Sequence, residues 1–260
     1  MQPEIHILGI TLQTFGLCLG LAFVVCGVMT SQFLKEIGKP VDWAYEFVFA
    51  ALVGGIAGAR LWWIAENWSE ARNDFLGSLF SGSGLVFYGG AIGGAIGVLG
   101  WAWHRGWLEA RTFDMGAAPL AAGYAIGRIG CQLAGDGDYG IPWNGPWAMA
   151  YPHGTVPTTV KVHPTPVYET LVMGIVTILL WRWRHRFRPG TLFALWAVLA
   201  GIERFLVEFI RRNDSVVAGL TQPQLISIVM VIAGGAWIAT HNGFAPAQAA
   251  PKPAGAVQRA

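Results

Sequence analysis

"AYEFVFAALVGGIAGARLWWIAE", residues 44–66, decides the fold class of this 260-residue chain. The stretch holds only three charged residues, Glu46, Arg60 and Glu66, and it is as long as the roughly 20 mostly apolar residues that a membrane-spanning helix needs. The whole chain has the same character, because 54% of its residues are hydrophobic and 12% are charged, against about 25% charged residues in soluble proteins. We therefore predict an integral membrane protein.

Further apolar runs of similar length lie on both sides of this stretch. Together they predict seven transmembrane helices, at about residues 7–29, 44–66, 84–104, 112–131, 164–183, 190–210 and 222–240. The first run has no basic segment before it and is too long for a cleavable signal peptide, so we expect a retained anchor. The expected fold class is an all-α, polytopic integral membrane protein. Residues 1–240 are expected to form one membrane domain with an outer loop at 132–163, and the Ala- and Pro-rich residues 241–260 a disordered cytoplasmic tail.

The distribution of lysine and arginine predicts the orientation, because cytoplasmic loops are enriched in both. The loop "WRWRHRFRPG", residues 181–190, contains four arginines and is assigned to the cytoplasm. Alternation from that loop places ten basic residues inside: Lys35, Lys39, Arg105, Arg111, Arg182, Arg184, Arg186, Arg188, Lys252 and Arg259. Four lie outside: Arg72, Lys161, Arg211 and Arg212. We expect the N-terminus outside and the C-terminus in the cytoplasm.

Charge and cysteine content exclude several classes of protein. The formal net charge of +2 is too small to indicate a nucleic-acid-binding protein. Cys18, Cys26 and Cys131 lie in or beside apolar runs without a CxxC pattern, which predicts neither a disulfide framework nor a zinc site. The last predicted helix lacks the Schiff-base lysine of a retinal protein. We expect no metal and no other cofactor.

Three arginines lie within the predicted helices. A charge at mid-membrane costs at least about 2.5–3.5 kcal/mol, so each such residue is a candidate functional residue. Arg60, Arg128 and Arg204 all come late in helices predicted to run outward, which places them at one depth near the outer face. The alternative for each arginine alone is that it reaches the headgroups or pairs with a carboxylate.

Other polar residues are predicted at the same level. Arg204, Glu208 and Arg211 are spaced by four and seven residues, which places them on one helix face. The remaining polar residues are Tyr88, Asp136, Asp138, His163, Tyr168 and Glu169. A planar guanidinium binds phosphate through two parallel hydrogen bonds, and the abundant phosphate at this depth belongs to phospholipids. The pattern therefore indicates a protein that handles membrane phospholipid.

Six motifs carry a family resemblance. They are GARLWW (58–63), FYGGAIGG (87–94), GRIGCQLAGDGDYG (127–140), HPTPVYE (163–169), RFLVEFIRR (204–212) and QPQLISI (222–228). In this order they resemble the successive motifs of the bacterial prolipoprotein diacylglyceryl transferases. The resemblance implies a multi-pass enzyme of the bacterial inner membrane with its active site toward the outer leaflet. It implies transfer of the diacylglyceryl group of phosphatidylglycerol to the lipobox cysteine of a preprolipoprotein signal peptide, with release of glycerol phosphate.

The resemblance also implies roles for individual residues. Arg128 and Arg204 match two essential arginines and are expected to hold the phosphate, while Glu208 is expected to orient Arg204. Asp136 stands where the family often has a glutamate, and Asp138 is its rival because the turn here is one residue longer. The other positions expected to bind substrate or support the site are Arg60, Cys131, Gly140, His163, Tyr168 and Glu169.

Four positions depart from the family pattern. Phe15 and Ala200 replace tyrosines, Cys131 replaces an asparagine, and Tyr88 replaces the histidine that would be the obvious general base. A tyrosine has a pKa near 10 and is a poor base at pH 7. Tyr88, a carboxylate such as Asp136, and arginine-assisted formation of the thiolate therefore remain open for the catalytic role. The departures also keep open an alternative, a non-catalytic phospholipid-binding or lipid-moving protein on the same fold.

Overall fold

The computed structural model describes residues 1–7, 10–80 and 86–246. The helices in these ranges are α1 (Thr14–Glu36), α2 (Trp43–Glu66), α3 (Trp68–Ala71), α4 (Phe75–Phe80), α5 (Phe87–His104), α6 (Ala110–Ala134), α7 (Thr165–Trp183), α8 (Thr191–Val207) and α9 (Gln222–Thr240). A 3₁₀ turn, Glu208–Ile210, follows α8. The strands form antiparallel pairs: β1 (Glu4–Ile7) with β2 (Ile10–Gln13), β3 (Met149–Tyr151) with β4 (Thr158–Val162), and β5 (Ser215–Val217) with β6 (Leu220–Thr221).

The long helices correspond to the apolar runs of the sequence. Three of them, α1, α2 and α9, are both long and apolar enough to cross a membrane. The predicted helical fold class is confirmed in its main feature, and among the described residues three short strand pairs lie between or before the helices. Of the expected disordered tail, residues 241–246 pack against the segment between α7 and α8, where the Phe244 ring lies 5.4 Å from that of Phe187. The rest of the tail lies outside the described residues.

The prediction that the first helix begins near residue 7 is wrong, because α1 begins at Thr14. Residues 4–7 and 10–13 alternate polar and apolar side chains, and this period of two favours strands over a helix. Glu4 pairs with Gln13 across the two strands, and the Gln13 side chain donates a hydrogen bond of 2.8 Å to Glu4. The Thr14 hydroxyl and amide both donate to the Pro3 carbonyl, which fixes the start of α1.

Helices α6, α7 and α8 form an apolar core that ends at the candidate site. Ala118 and Ala121 of α6 pack with Met173 of α7 and Leu192 of α8. At the predicted cytoplasmic end, the Asp114 carboxylate accepts hydrogen bonds from two backbone amides at the start of α8, at 2.7 and 2.9 Å. This contact fixes α8 against α6, so the other ends of the three helices meet at a defined place.

Candidate active site

The candidate site lies where α6 and α8 end and α7 begins. Arg128 is in the last two turns of α6, Glu169 is in the second turn of α7, and Arg204 is in the last turn of α8. Glycine at 135, with φ of +60°, ends α6 in the left-handed conformation that glycine adopts without steric cost. The chain then returns over this helix end toward α7, and brings Asp138 beside Arg128.

Glu169 is at the centre of the site. Its side chain is fully buried, and its carboxylate lies 2.9 Å from Nε of Arg128, 3.3 Å from Nη1 of Arg204 and 3.6 Å from Nη1 of Arg211. The Tyr124 hydroxyl donates a hydrogen bond of 3.0 Å to the same carboxylate. A buried carboxylate is stable only when it is paired and hydrogen-bonded, and three arginines from different parts of the chain meet that requirement here.

Two further carboxylates complete the ion pairs. The Glu208 carboxylate lies 2.8 Å from Nη2 of Arg204 and 3.8 Å from Nε of Arg211. It also accepts a hydrogen bond of 2.6 Å from the side-chain amide of Asn213. Asp138 binds Arg128 through one oxygen and Arg211 through the other. We call the set of Arg128, Arg204, Arg211, Asp138, Glu169 and Glu208 the arginine cluster.

Exposure within the arginine cluster differs between its members. The side chains of Arg128 and Arg204 are 15% and 19% exposed, whereas Glu169 and Glu208 are fully buried. Burial alone would raise the pKa of Asp138, but the guanidinium groups of Arg128 and Arg211 outweigh it and hold that pKa below its usual range. An incoming ligand therefore meets Arg128, Arg204 and the carboxylate of Asp138, which is 32% exposed, while Glu169 and Glu208 lie behind them.

Asp136 and Cys131 lie beside the arginine cluster. Burial raises the pKa of Asp136, and the nearby Cys131 thiol and Asp138 amide only partly oppose this effect. Cys131, Asp136 and Asp138 each place one potential metal ligand within 4.8 Å of the others. However, both oxygens of Asp138 already bind arginines, and Nη1 of Arg128 lies 3.8 Å from the Cys131 sulfur. These fixed positive charges oppose a cation, so the residues fit an anion site better than a metal site.

His163 and Tyr168 belong to a neighbouring aromatic group. The His163 ring stacks on Trp143 with 4.3 Å between centroids, and its Nδ1 lies 3.3 Å from the Tyr168 hydroxyl. The indole N–H of Trp147 donates a hydrogen bond of 2.8 Å to the same hydroxyl. The sequence predicted both residues near the site. The structure places them at the start of α7 beside Glu169, where they contact aromatic side chains rather than the ion pairs.

Gly140 has a steric role at the end of the motif. Its amide donates a hydrogen bond of 2.8 Å to the His163 carbonyl. A Cβ at this position would collide with the Ile210 carbonyl oxygen and would lie 3.0 Å from the His163 Cβ. Glycine therefore allows the loop after α6 to lie against both the start of α7 and the end of α8.

Arg60 and Tyr88 lie on the helix pair α2 and α5. Arg60 is buried, its Nε donates to the Ser78 carbonyl, and its guanidinium lies 4.5 Å from the Trp63 ring. The Tyr88 ring lies against Phe87. The third arginine that binds the carboxylates of the cluster is Arg211, which the sequence predicts on the same helix face as Arg204 and Glu208.

Two residues of the site were not among the predicted site residues. The spacing of seven from Arg204 placed Arg211 on the correct face, although the chain reaches it through the 3₁₀ turn rather than through a continuous helix. Tyr124 gave no sequence signal beyond its position four residues before Arg128. Its hydroxyl lies 3.4 Å from Nη2 of Arg128, so this helical spacing is what joins it to the cluster.

Comparison with known proteins identifies the family. The family model described as prolipoprotein diacylglyceryl transferase matches residues 3–240. Proteins named phosphatidylglycerol–prolipoprotein diacylglyceryl transferase are similar over most of their length. That of Clostridium tetani is 28% identical over 240 residues, which cover 90% of this chain and 95% of the relative. That of Erythrobacter litoralis is 30% identical over 254 residues, which cover 90% and 87%. The resemblance drawn from the motifs is confirmed, and the chain belongs to the prolipoprotein diacylglyceryl transferase family.

Proposed function

We propose that the arginine cluster is the place where this enzyme binds phosphatidylglycerol and transfers its diacylglyceryl group. The chain is a diacylglyceryl transferase of lipoprotein biosynthesis, and its substrates are phosphatidylglycerol and a prolipoprotein. The observation that carries the assignment of the site is the convergence of Arg128, Arg204 and Arg211 on the buried Glu169. Fixed guanidinium groups suit a reaction in which a phosphate must be bound and then released.

The chemistry makes two demands on the site. The acceptor is the lipobox cysteine of a signal peptide, and its thiol must become a thiolate to attack the glyceryl carbon that carries the phosphodiester. The departing phosphate oxygen gains negative charge as the C–O bond breaks, and hydrogen-bond donors already aimed at that oxygen stabilise the transition state. Arg128 and Arg204 meet this second demand, because they are the partly exposed arginines of the cluster.

The arrangement in the membrane is a separate part of the proposal. We propose seven spanning helices in the bacterial inner membrane, with the N-terminus outside, the C-terminus in the cytoplasm and the arginine cluster toward the outer leaflet. The apolar composition of α1, α2 and α9 supports the membrane location. The four arginines at the end of α7 and in the loop before α8 support the orientation. No part of this reaction requires a metal, a nucleotide or a nucleic acid.

Variants of Arg128 and Arg204, the two partly exposed arginines of the cluster, test the site. Arg128→Ala or Arg204→Ala should lower the rate of diacylglyceryl transfer to a synthetic lipobox peptide by about 100-fold or more, because each removes a donor to the departing phosphate. Arg72→Ala, which changes an exposed arginine beside α3, is the matched control and should retain the parental rate. Full activity of both site variants would refute the assignment of the arginine cluster.

A further inference from the structure

Glu203 of α8 differs from the other buried carboxylates. Among the described residues, four carboxylates are buried: Asp114, Glu169, Glu203 and Glu208. Asp114 accepts backbone hydrogen bonds, and Glu169 and Glu208 bind arginines. Glu203 is 8% exposed and has neither a hydrogen bond nor an ion pair with any described residue. Burial of a carboxylate without a partner is costly, and this cost favours a role that requires an unoccupied carboxylate.

Glu203 lies on the face of α8 that packs against α6 and α7. Leu192 and Ala200 on this face contact the apolar core of those helices, and Glu203 follows Ala200 at the next helical turn. At that level the core ends and the arginine cluster begins. The charge of Glu203 interacts through space with Arg128 of α6 and Glu169 of α7. The carboxylate therefore belongs to the wall of the candidate site.

Glu203 is not needed to balance the positive charges of the arginine cluster. Three arginines of the cluster are matched by three carboxylates, Asp138, Glu169 and Glu208. Glu203 is a fourth carboxylate without a counter-charge of its own. The titratable groups that face it are Tyr124 and Arg128 of α6, Glu169 of α7, Arg204 of its own helix, and Arg211. Helix α9, which also packs against α8, has no ionisable residue.

We propose that Glu203 is the proton acceptor for the substrate thiol, an inference that rests on the transferase function proposed above. The thiol gives its proton to the Glu203 carboxylate, and the sulfur electron pair forms the S–C bond with the glyceryl carbon. The C–O bond to the phosphate breaks and its electron pair stays on the phosphate oxygen. The proton then passes from Glu203 to the departing glycerol phosphate, so the step balances without another reactant.

The two rival bases are less well placed. The Asp136 carboxylate already accepts a hydrogen bond of 3.3 Å from the Asp138 amide, and Asp136 is only half-buried. Tyr88 lies at the start of α5, on the other helix pair, with its ring against Phe87. Glu203 alone combines burial beside the arginine cluster with oxygens that no described group occupies.

The test measures the transfer rate as a function of pH. The full-length protein with phosphatidylglycerol and a synthetic lipobox peptide is assayed from about pH 6 to about pH 9.5, on both sides of the thiol pKa of about 8.5. At pH 7, Glu203→Gln should be slower by about 100-fold or more. Its rate should then rise about tenfold per pH unit until the thiol ionises unaided, near pH 8.5. Glu203→Asp should restore part of the neutral-pH rate, and the exposed Glu70→Gln should match the parent.

Several outcomes would overturn this role for Glu203. One is that Glu203→Gln has the same pH profile as the parent. Another is that Glu203→Gln loses the same fraction of its rate at every pH. A third is that the rate of Asp136→Asn, rather than that of Glu203→Gln, is low at neutral pH and recovers as the pH rises. Phosphatidylglycerol binding and the melting temperature should be retained in Glu203→Gln, and their loss would assign Glu203 a structural role. An inactive parent protein would refute the proposed function itself, whereas an active parent with an unaffected Glu203→Gln variant refutes the present inference alone.

Discussion

Glu169 is the residue on which the arrangement of the arginines depends. Its buried carboxylate contacts Arg128, Arg204 and Arg211 at once. Glu169→Gln removes the shared negative charge, and we expect it to destabilise the fold by about 3–5 kcal/mol, because buried guanidinium groups lose their counter-charge. The melting temperature in detergent should fall, while that of the exposed Glu70→Gln should not. An unchanged melting temperature in Glu169→Gln would contradict the central place given to this residue.

The two aspartates of the loop after α6 should respond to pH in opposite ways. The pKa of Asp138 is held below its usual range, so Asp138 stabilises the fold at neutral pH. That contribution is lost as the pH falls below about 4, through the lowered pKa. The pKa of Asp136 is raised, so the protonated carboxyl group of Asp136 contributes to the stability of the fold at low pH. This contribution is lost as the pH rises through the raised pKa.

The aspartate variants check these signs. At pH 7, Asp138→Asn should lower the melting temperature, and the difference from the parent should shrink below about pH 4. Asp136→Asn should leave the melting temperature at pH 7 unchanged or raise it. Melting curves in detergent from neutral to acid pH measure both effects. Equal losses for the two variants at pH 7 would show that the charges of Arg128 and Arg211 do not distinguish the two carboxylates.

At the level of single residues, the sequence predicted most of the charged site and not its exact membership. The high cost of charge in a membrane singled out Arg128 and Arg204 correctly as members of one cluster. The same argument included Arg60, because hydropathy measures depth and carries no information about which helices are neighbours. Glu203 was missed as a site residue, because its lack of a partner is visible only in three dimensions.

At the scale of the helices, the backbones of α2 and α5 lie in close contact. A Cβ at Gly93 of α5 would collide with the Gly54 carbonyl of α2 and would lie 2.7 Å from the Cα of Gly58. Gly93→Ala should therefore push the helices apart, at a cost of about 1–3 kcal/mol. Gly100→Ala in the same helix meets nothing within 4 Å and is the matched control. A melting temperature that falls equally in both variants would contradict close helix packing as the cause.

The sequence predicted long helices better than short elements. An apolar run of about 20 residues indicates a helix whatever its neighbours are, and each long helix overlaps a predicted run, although α1 ends seven residues beyond the run at 7–29. The first predicted run includes strand β2, because its isoleucine and leucine raise the mean hydropathy of a strand as much as that of a helix. The pairing of β3 with β4 was not predicted, because it depends on contacts between distant residues of the loop.

For the whole molecule, the orientation in the membrane is the prediction with the widest consequences. In a variant whose three native cysteines are replaced by serine, a single cysteine at the exposed His153 should react with a membrane-impermeant maleimide in intact spheroplasts. A cysteine at the exposed Arg186 should react only after the membrane is permeabilised. The reverse labelling pattern would invert the topology and place the arginine cluster toward the cytoplasm.

Product analysis of one reaction mixture decides whether the molecule as a whole performs diacylglyceryl transfer at the arginine cluster. The purified protein is incubated with phosphatidylglycerol and a synthetic lipobox peptide, and the peptide and the soluble products are identified by mass spectrometry. We predict a diacylglyceryl adduct on the peptide cysteine, with an equal amount of glycerol phosphate, and neither product from Arg204→Ala. Bound lipid without an adduct, under conditions in which another family member is active, would contradict this function. An adduct formed equally well by Arg204→Ala would contradict the site.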